Sequence, residues 1–238
     1  MEFSGKNILI VGGSSGIGLA LVKDVSAKGA NVFVVSRTVS DEWPTSVNYQ
    51  VGDVLEDLTA LKTFLPAQLH GLVYAVGNIN LKPFSRFTAQ DFLKDYQLNV
   101  VGAAMVVQQA LPALKAAGNA SVVFLSTVAS KIGMSYHAST AAAKSGVEGL
   151  SLSLAAEFAP QHIRFNVIAP SLTDTPLAQN LLNTPEKREA SAKRHPLGSV
   201  GKADEIAAAI SFLLSENSNW MTAQVIGMDG GMGSVKMM

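Results

Sequence analysis

The chain has no cysteine in its 238 residues. That excludes a disulfide framework, a thiol nucleophile and a thiolate metal site. Its four histidines, His70, His137, His162 and His195, stand far apart and offer no spacing for a shared metal ion. Charge is scarce and balanced, 18 basic residues against 18 acidic ones, and no basic run is longer than Lys187-Arg188. Nucleic acid is therefore not an expected partner. No apolar run approaches membrane-spanning length, and Met1 to Lys6 lacks the basic start, apolar stretch and cleavage site of a secretory leader. The expected setting is soluble and cytoplasmic, with no membrane partner. Redox chemistry, if present, has to come from a bound cofactor.

Apolar residues are plentiful, at 48% of the chain against 15% charged, enough for one substantial core. Asn7-Ile8-Leu9-Ile10-Val11 is a short apolar run ended by Gly12-Gly13, and residues 17–28 then show helical periodicity closed by Gly29. Similar short runs follow at 32–35, 72–75, 122–125, 165–169 and 225–228. Helical stretches lie between them at 55–64, 89–116 with an interruption around Asn99, 141–158 and 203–214. Thr88 and Asp91 form a capping-box pattern. This alternation predicts an α/β fold, a Rossmann-like doubly wound parallel sheet with helices on both faces. No repeat or linker divides the chain, so residues 1–238 are expected to form a single domain. The least regular stretch, 171–196, falls where a substrate lid belongs, beyond the carboxyl ends of the strands.

Gly12-Gly13-Ser14-Ser15-Gly16-Ile17-Gly18 follows the first strand and opens the first helix. Glycines there allow close backbone approach to a pyrophosphate, and the helix N-terminus offers free N–H groups and a positive dipole end. After the second strand, Ser36-Arg37-Thr38 presents no carboxylate to a ribose 2′-OH; Arg37 and Ser36 instead suit a 2′-phosphate, which points to NADP(H). A solvated Arg37 at the start of a loop is the alternative.

With these motifs the chain resembles the short-chain dehydrogenase/reductase family over nearly its whole length, most like its 3-oxoacyl-thioester (acyl carrier protein) reductase branch. The resemblance implies that Gly12, Gly16 and Gly18 form the cofactor loop and that Asp53 and Val54 contact the adenine, although Asp53 also reads as a turn residue after Gly52. Gly77 corresponds to the end of the family's Asn-Asn-Ala-Gly segment, Asn99 to its catalytic Asn and Lys144 to the Lys of its Tyr-x-x-x-Lys motif. Pro170, Leu172 and Thr175 fall where the family touches the nicotinamide, and Met228-Asp229-Gly230-Gly231 matches its C-terminal strand signature. It further implies hydride transfer to a small-molecule carbonyl substrate and self-association as a homotetramer or homodimer. Faces built from Ala103, Ala104, Met105 and Val107, and from Val147, Leu150 and Leu154, are the expected contact surfaces.

The reaction end departs from that pattern. Four residues before Lys144 stands Thr140 instead of Tyr, and thirteen before that Thr127 instead of Ser, with Ser126 adjacent. Thr127 keeps a hydroxyl donor. Thr140 does not keep the chemistry, because an aliphatic hydroxyl is a far weaker acid than a phenol, which titrates near roughly 10. Tyr136 lies one helical turn earlier and is either a displaced proton donor or a packing or substrate-lining aromatic. The expected activity is an NADP(H)-dependent carbonyl reduction with an altered proton relay drawn from Lys144, Thr127, Ser126, Tyr136 and water. A non-catalytic NADP(H)-binding protein and a reductase of conjugated double bonds are the rival readings. Restoring the phenol by Thr140→Tyr is expected to raise the rate wherever the pocket admits the ring.

Overall fold

A computed structural model describes residues 1–56 and 58–236. Seven parallel strands make the central sheet: β1 (Asn7–Val11), β2 (Asn31–Ser36), β3 (Asn48–Val51), β4 (Gly71–Tyr74), β5 (Ala120–Leu125), β6 (Ile163–Pro170) and, at the far edge, β9 (Val225–Met228). Their order is β3-β2-β1-β4-β5-β6-β9. Every residue of β4, β5 and β6 is buried, which is why these strands read as unbroken apolar runs.

Two cores sandwich the sheet. On one face Leu21, Val22 and Val25 of α1 (Gly16–Ala27) pack with Ile206, Ile210 and Leu213 of α8 (Ala203–Leu214). The other face holds α2 (Leu61–Phe64), α4 (Gly102–Ala116) and α5 (Ala138–Phe158), whose Val106, Leu114, Val147 and Phe158 meet Leu72, Phe124 and Phe165. Each such side chain removed from water contributes about 1.5–3 kcal/mol. Before α4, α3 (Ala89–Tyr96) opens on the Thr88–Asp91 capping box, formed as the sequence indicates. The interruption at Asn99 is a π-helical turn over Gln97–Val101.

Three expectations are corrected. The edge strand β3 was not anticipated, because Asn48-Tyr49-Gln50-Val51 is mostly exposed and carries no apolar run. Its register is held by side-chain amides instead: Asn48 donates to Asn31 Oδ1 at 3.1 Å, and Asn31 to Asn7 Oδ1 at 2.9 Å. The helix expected over 55–64 is helical only from Leu61 to Phe64; Asp57 lies outside the described residues. The stretch 171–196 is folded, not irregular. It contains β7 (Thr173–Asp174), α6 (Gln179–Leu182) and α7 (Pro185–Ala192), and β7 pairs with β8 (Gly201–Lys202). The signal for α7 was legible: Thr184 caps it by accepting from Lys187 N, with Pro185 in its first turn.

Candidate functional site

The strand order runs outward in opposite directions from β1 and β4, so the crevice beyond their carboxyl ends is the switch point where such sheets bind ligands. One wall is the Gly12–Gly18 loop. A Cβ on Gly18 would lie 2.0 Å from the Gly12 carbonyl oxygen, so only glycine lets the turn close on the start of α1. Ser15 precedes that helix with extended backbone, and no side chain caps it, which leaves its first amides for an anion. Ser14 accepts from Thr38 Oγ1 at 3.2 Å, joining this loop to the end of β2. Ile17 is half-buried. Thr175 reaches over from the segment after β6, its Cβ 3.2 Å from where a Cβ on Gly16 would be.

At the end of β2, Arg37 is exposed and makes no hydrogen bond or ion pair among the described residues. Ser36 is different. Its buried hydroxyl donates to the Thr38 carbonyl at 2.7 Å, so its proton is spent within the turn. Asp53 Oδ1 accepts from Leu55 N at 3.0 Å, the side-chain turn that its other reading predicted, while Val54 is buried beside Gly102. Beyond β6, Pro170 closes the strand, Leu172 is half-buried, and Ser171 donates to His195 Nε2 at 2.8 Å. The His195 Nδ1–H in turn donates to the Ser191 carbonyl at 2.8 Å, fixing the tautomer.

The second wall is the reaction end. Lys144 is only 7% exposed, and its Nζ donates to the Leu125 carbonyl at 2.9 Å. A Cβ on Gly77 would come within 3.2 Å of that Nζ and 3.5 Å of Asn99 Oδ1, so lysine and amide converge on the glycine after β4. Asn99 donates to the Asp95 carbonyl at 2.8 Å and to Asn78 Oδ1 at 3.1 Å, which leaves its own buried Oδ1 unpartnered among the described residues. An unmet acceptor costs about 1–3 kcal/mol, so this point suits a water or a ligand hydroxyl. Burial lowers the Lys144 pKa to about 8, against an opposing pull from Asp95.

The remaining candidates do not all face this point. Ser126 donates to Glu148 Oε1 at 2.6 Å, one turn beyond Lys144 on α5, and Thr127 caps the turn Val128–Ser130 by accepting from Ala129 N at 3.3 Å. Tyr136 precedes α5 with φ of 72° and is 59% exposed. Thr140 is buried beneath the loop after β4, its Oγ1 3.5 Å from the Asn80 carbonyl. A tyrosine ring in that place would have to displace this loop. Sequence reasoning missed the group that holds the loop down: Asp95, which accepts from Ser139 Oγ at 2.6 Å, Asn80 Nδ2 at 3.4 Å and Asn78 Nδ2. The signal was its place one helical turn before Asn99, on the same face.

A family profile described as enoyl-(acyl carrier protein) reductase matches residues 11–233 of this chain. The chain belongs to the short-chain dehydrogenase/reductase family. It is 32% identical over 247 residues to a tropinone reductase homolog of Arabidopsis thaliana, covering 97% of this chain and 94% of the relative. Among solved structures it is similar to a short-chain type dehydrogenase/reductase from Mycobacterium ulcerans, with a TM-score of 0.90 at 26% identity over 98% of this chain and 91% of that one. It is equally similar to a gluconate 5-dehydrogenase from Burkholderia cenocepacia, in complex with NADP and tartrate, with a TM-score of 0.91 at 26% identity over 99% and 98%. Family membership makes the chain an oxidoreductase of nicotinamide cofactors. The tight loop between Gly12 and Gly18, where a Cβ on Gly12 or Gly18 would strike the chain's own backbone, and the uncapped start of α1 fit the pyrophosphate of such a cofactor. Among the described residues no group of acidic residues and histidines could hold a metal ion, and no helix is long and apolar enough to cross a membrane.

Proposed function

We propose that the protein is an NADP(H)-dependent reductase of a small carbonyl compound in which Lys144 takes over the role of proton donor. One observation carries the reading: the Lys144 ammonium and the unpartnered Asn99 Oδ1 converge at Gly77, beyond the ends of β4 and β5. When bound, the reduced nicotinamide supplies the hydride. Gly12, Ser14, Ser15, Gly16, Ile17 and Gly18 hold its pyrophosphate, and Asp53, Val54, Pro170, Leu172 and Thr175 line its two ends. Arg37, exposed and unpaired, meets the 2′-phosphate with Thr38, while the committed Ser36 hydroxyl shapes the turn. The related structure that holds NADP supports that choice. Lys144, with its pKa near neutrality, gives its proton to the developing alkoxide and regains one through a water at Asn99 Oδ1. Thr127 orients the carbonyl oxygen. Ser126, Thr140 and Tyr136 have no proton to give there: one is committed to Glu148, one covered by Asn80 and one exposed.

A protein that binds NADP(H) without turnover is the second reading, favoured by the loop that covers Thr140. NADPH oxidation against a panel of ketones, acyl thioesters and enones separates the two. Reduction of ketones or thioesters supports the first; tight NADPH binding with no oxidation of any of them supports the second, and reduction of enones alone moves the hydride acceptor to a conjugated double bond.

Self-association belongs to the same reading, with the expected surface kept at Met105 and otherwise shifted. Ala103, Val107 and Val147 are buried inside the chain's own core. The exposed apolar residues of that face are Leu93, Tyr96, Val101, Met105 and Leu152, and these are the proposed contact. Light scattering should give a homodimer or homotetramer; a 25.0 kDa species alone would count against it.

A further inference from the structure

Asp95 is a carboxylate 1% exposed, with no ion pair within reach among the described residues. A buried charge of this kind is retained only with hydrogen bonds and compensating charge. Its hydrogen bonds come from two segments. Asn78 and Asn80 donate from the loop after β4, and Ser139 donates from the first turn of α5. Both segments border the reaction end. Asn78 accepts from Asn99, the Asn80 carbonyl covers Thr140, and Ser139 lies five residues before Lys144. Three donors on two oxygens suit an acceptor-only carboxylate, whereas the NH2 of an asparagine would face a donor on one side; these neutral groups satisfy the oxygens but bring no opposite charge.

The charge has a counterpart in the buried Lys144. Other charged or titratable groups around that lysine are committed elsewhere: Glu148, one turn further along α5, to Ser126 and Ser130; Tyr74 of β4 to the Leu98 carbonyl. On the loop before α5, His137 contacts the Ser135 carbonyl and Tyr136 is exposed. From the loop after β4, Lys82 pairs with Asp91; from the segment beyond β6, Asp174 pairs with Arg188 and His195 with Ser171. Asp95 borders the lysine's surroundings through Asn78, which donates to it and accepts from Asn99, whose Oδ1 shares the Gly77 position with Lys144 Nζ; the Asp95 charge favours the protonated lysine against the burial that opposes it.

We propose that Asp95 is a positioning residue: its carboxylate draws the 78–80 loop onto the start of α5 and serves as the counter-charge of the buried Lys144 ammonium. The proposal rests on Lys144 as the proton source, and its test does not depend on turnover. In protein labelled with 13C-lysine and free of nucleotide, the Lys144 side-chain resonance is followed by NMR through a pH titration. Wild type should titrate at about 8, and Asp95→Asn should move that midpoint downward by on the order of one pH unit. Ser139→Ala, which removes a hydrogen bond but keeps the charge, should leave it near the wild-type value. An Asp95→Asn protein that titrates where wild type does overturns the proposal, whatever happens to its melting temperature. Should Asp95→Asn fail to fold, the wild-type Asp95 carboxyl resonance decides: it should shift as Lys144 loses its proton, and a flat signal through that titration overturns the pairing. A protein with this coupled titration but no NADPH-dependent reduction would lose the proposed reaction and keep the Asp95–Lys144 pairing.

Discussion

The loop from Gly12 to Gly18 is built of backbone, whereas the crevice around Lys144 is built of side chains. At the phosphate end, the close approach at Gly18 and the uncapped start of α1 are what the proposed binding uses, and nothing in them depends on a titrating group. At the reaction end every function rests on the identity of a side chain. Thr140, where the resemblance to the family implies a phenol, is covered: Asn80 lies over the threonine, and Asp95 holds Asn80 and Ser139. A site defined by backbone keeps its ligand through many side-chain changes. A site defined by side chains acquires different chemistry from a few.

Lys144→Met is the sharpest way to split the two ends. Loss of a positioned acid should lower the reduction rate by about 10²–10⁴-fold, while the stability gained by removing a desolvated ammonium is offset by leaving the Asp95 carboxylate without its counter-charge. The pKa of this lysine is lowered on folding, from 10.5 to about 8, so between those values the unfolded chain binds more protons. Wild-type stability contributed by this group therefore rises with pH across that window, and the Met variant should lack the rise. Thermal melts at several pH values with initial rates at each check both halves. A variant that keeps its rate removes Lys144 from the chemistry.

Arg37→Ala addresses the other end. Loss of charge-assisted hydrogen bonds to a 2′-phosphate should cost about 1.5–3 kcal/mol, or roughly 10- to 100-fold in NADPH affinity by calorimetry. NADH affinity should stay constant. An unchanged preference for NADPH would show that the 2′-phosphate is read elsewhere.

Thr140→Tyr has the smallest expected effect on rate. The Asn80 carbonyl stands 3.5 Å from Thr140 Oγ1, so the ring overpacks a covered position and should cost about 1–3 kcal/mol of stability without a gain in turnover. The expectation drawn from spacing was conditional on room for the ring, and the Asn80 loop occupies that room. A rise of about 10²–10⁴-fold in reduction rate would mean that the loop yields and that the two ends differ by one residue only.

The phosphate end was legible because backbone requirements leave glycines and a strand–turn–helix order in the sequence, and the π-helical turn announced itself through Asn99 inside a helical stretch. The strand β3 left no such mark, since an exposed edge needs no apolar face. Part of the expected assembly face lies inside for the opposite reason: Ala103, Val107 and Val147 are apolar because the core needs them, while Met105 is exposed. At the reaction end, the motif spacing singled out Thr140 and Lys144, both of which lie buried in the structure, but said nothing of the Asn80 loop that covers Thr140. Asp95, Asn78, Asn80 and Ser139 are individually ordinary polar residues. Their meaning lies in contacts across 15 to 44 positions of chain, which no local pattern records.

The central claim is that a buried lysine, and not a tyrosine, supplies the proton. It is tested most directly by the pH dependence of NADPH-driven reduction of an accepted ketone at saturating nucleotide. The protonated ammonium is the active form in this direction, so the rate should fall as pH rises through about 8 and, for oxidation of the corresponding alcohol, should rise through the same value. A rate that is flat there and breaks only near roughly 10, in the phenol range, with Tyr136→Phe abolishing it, would contradict the account.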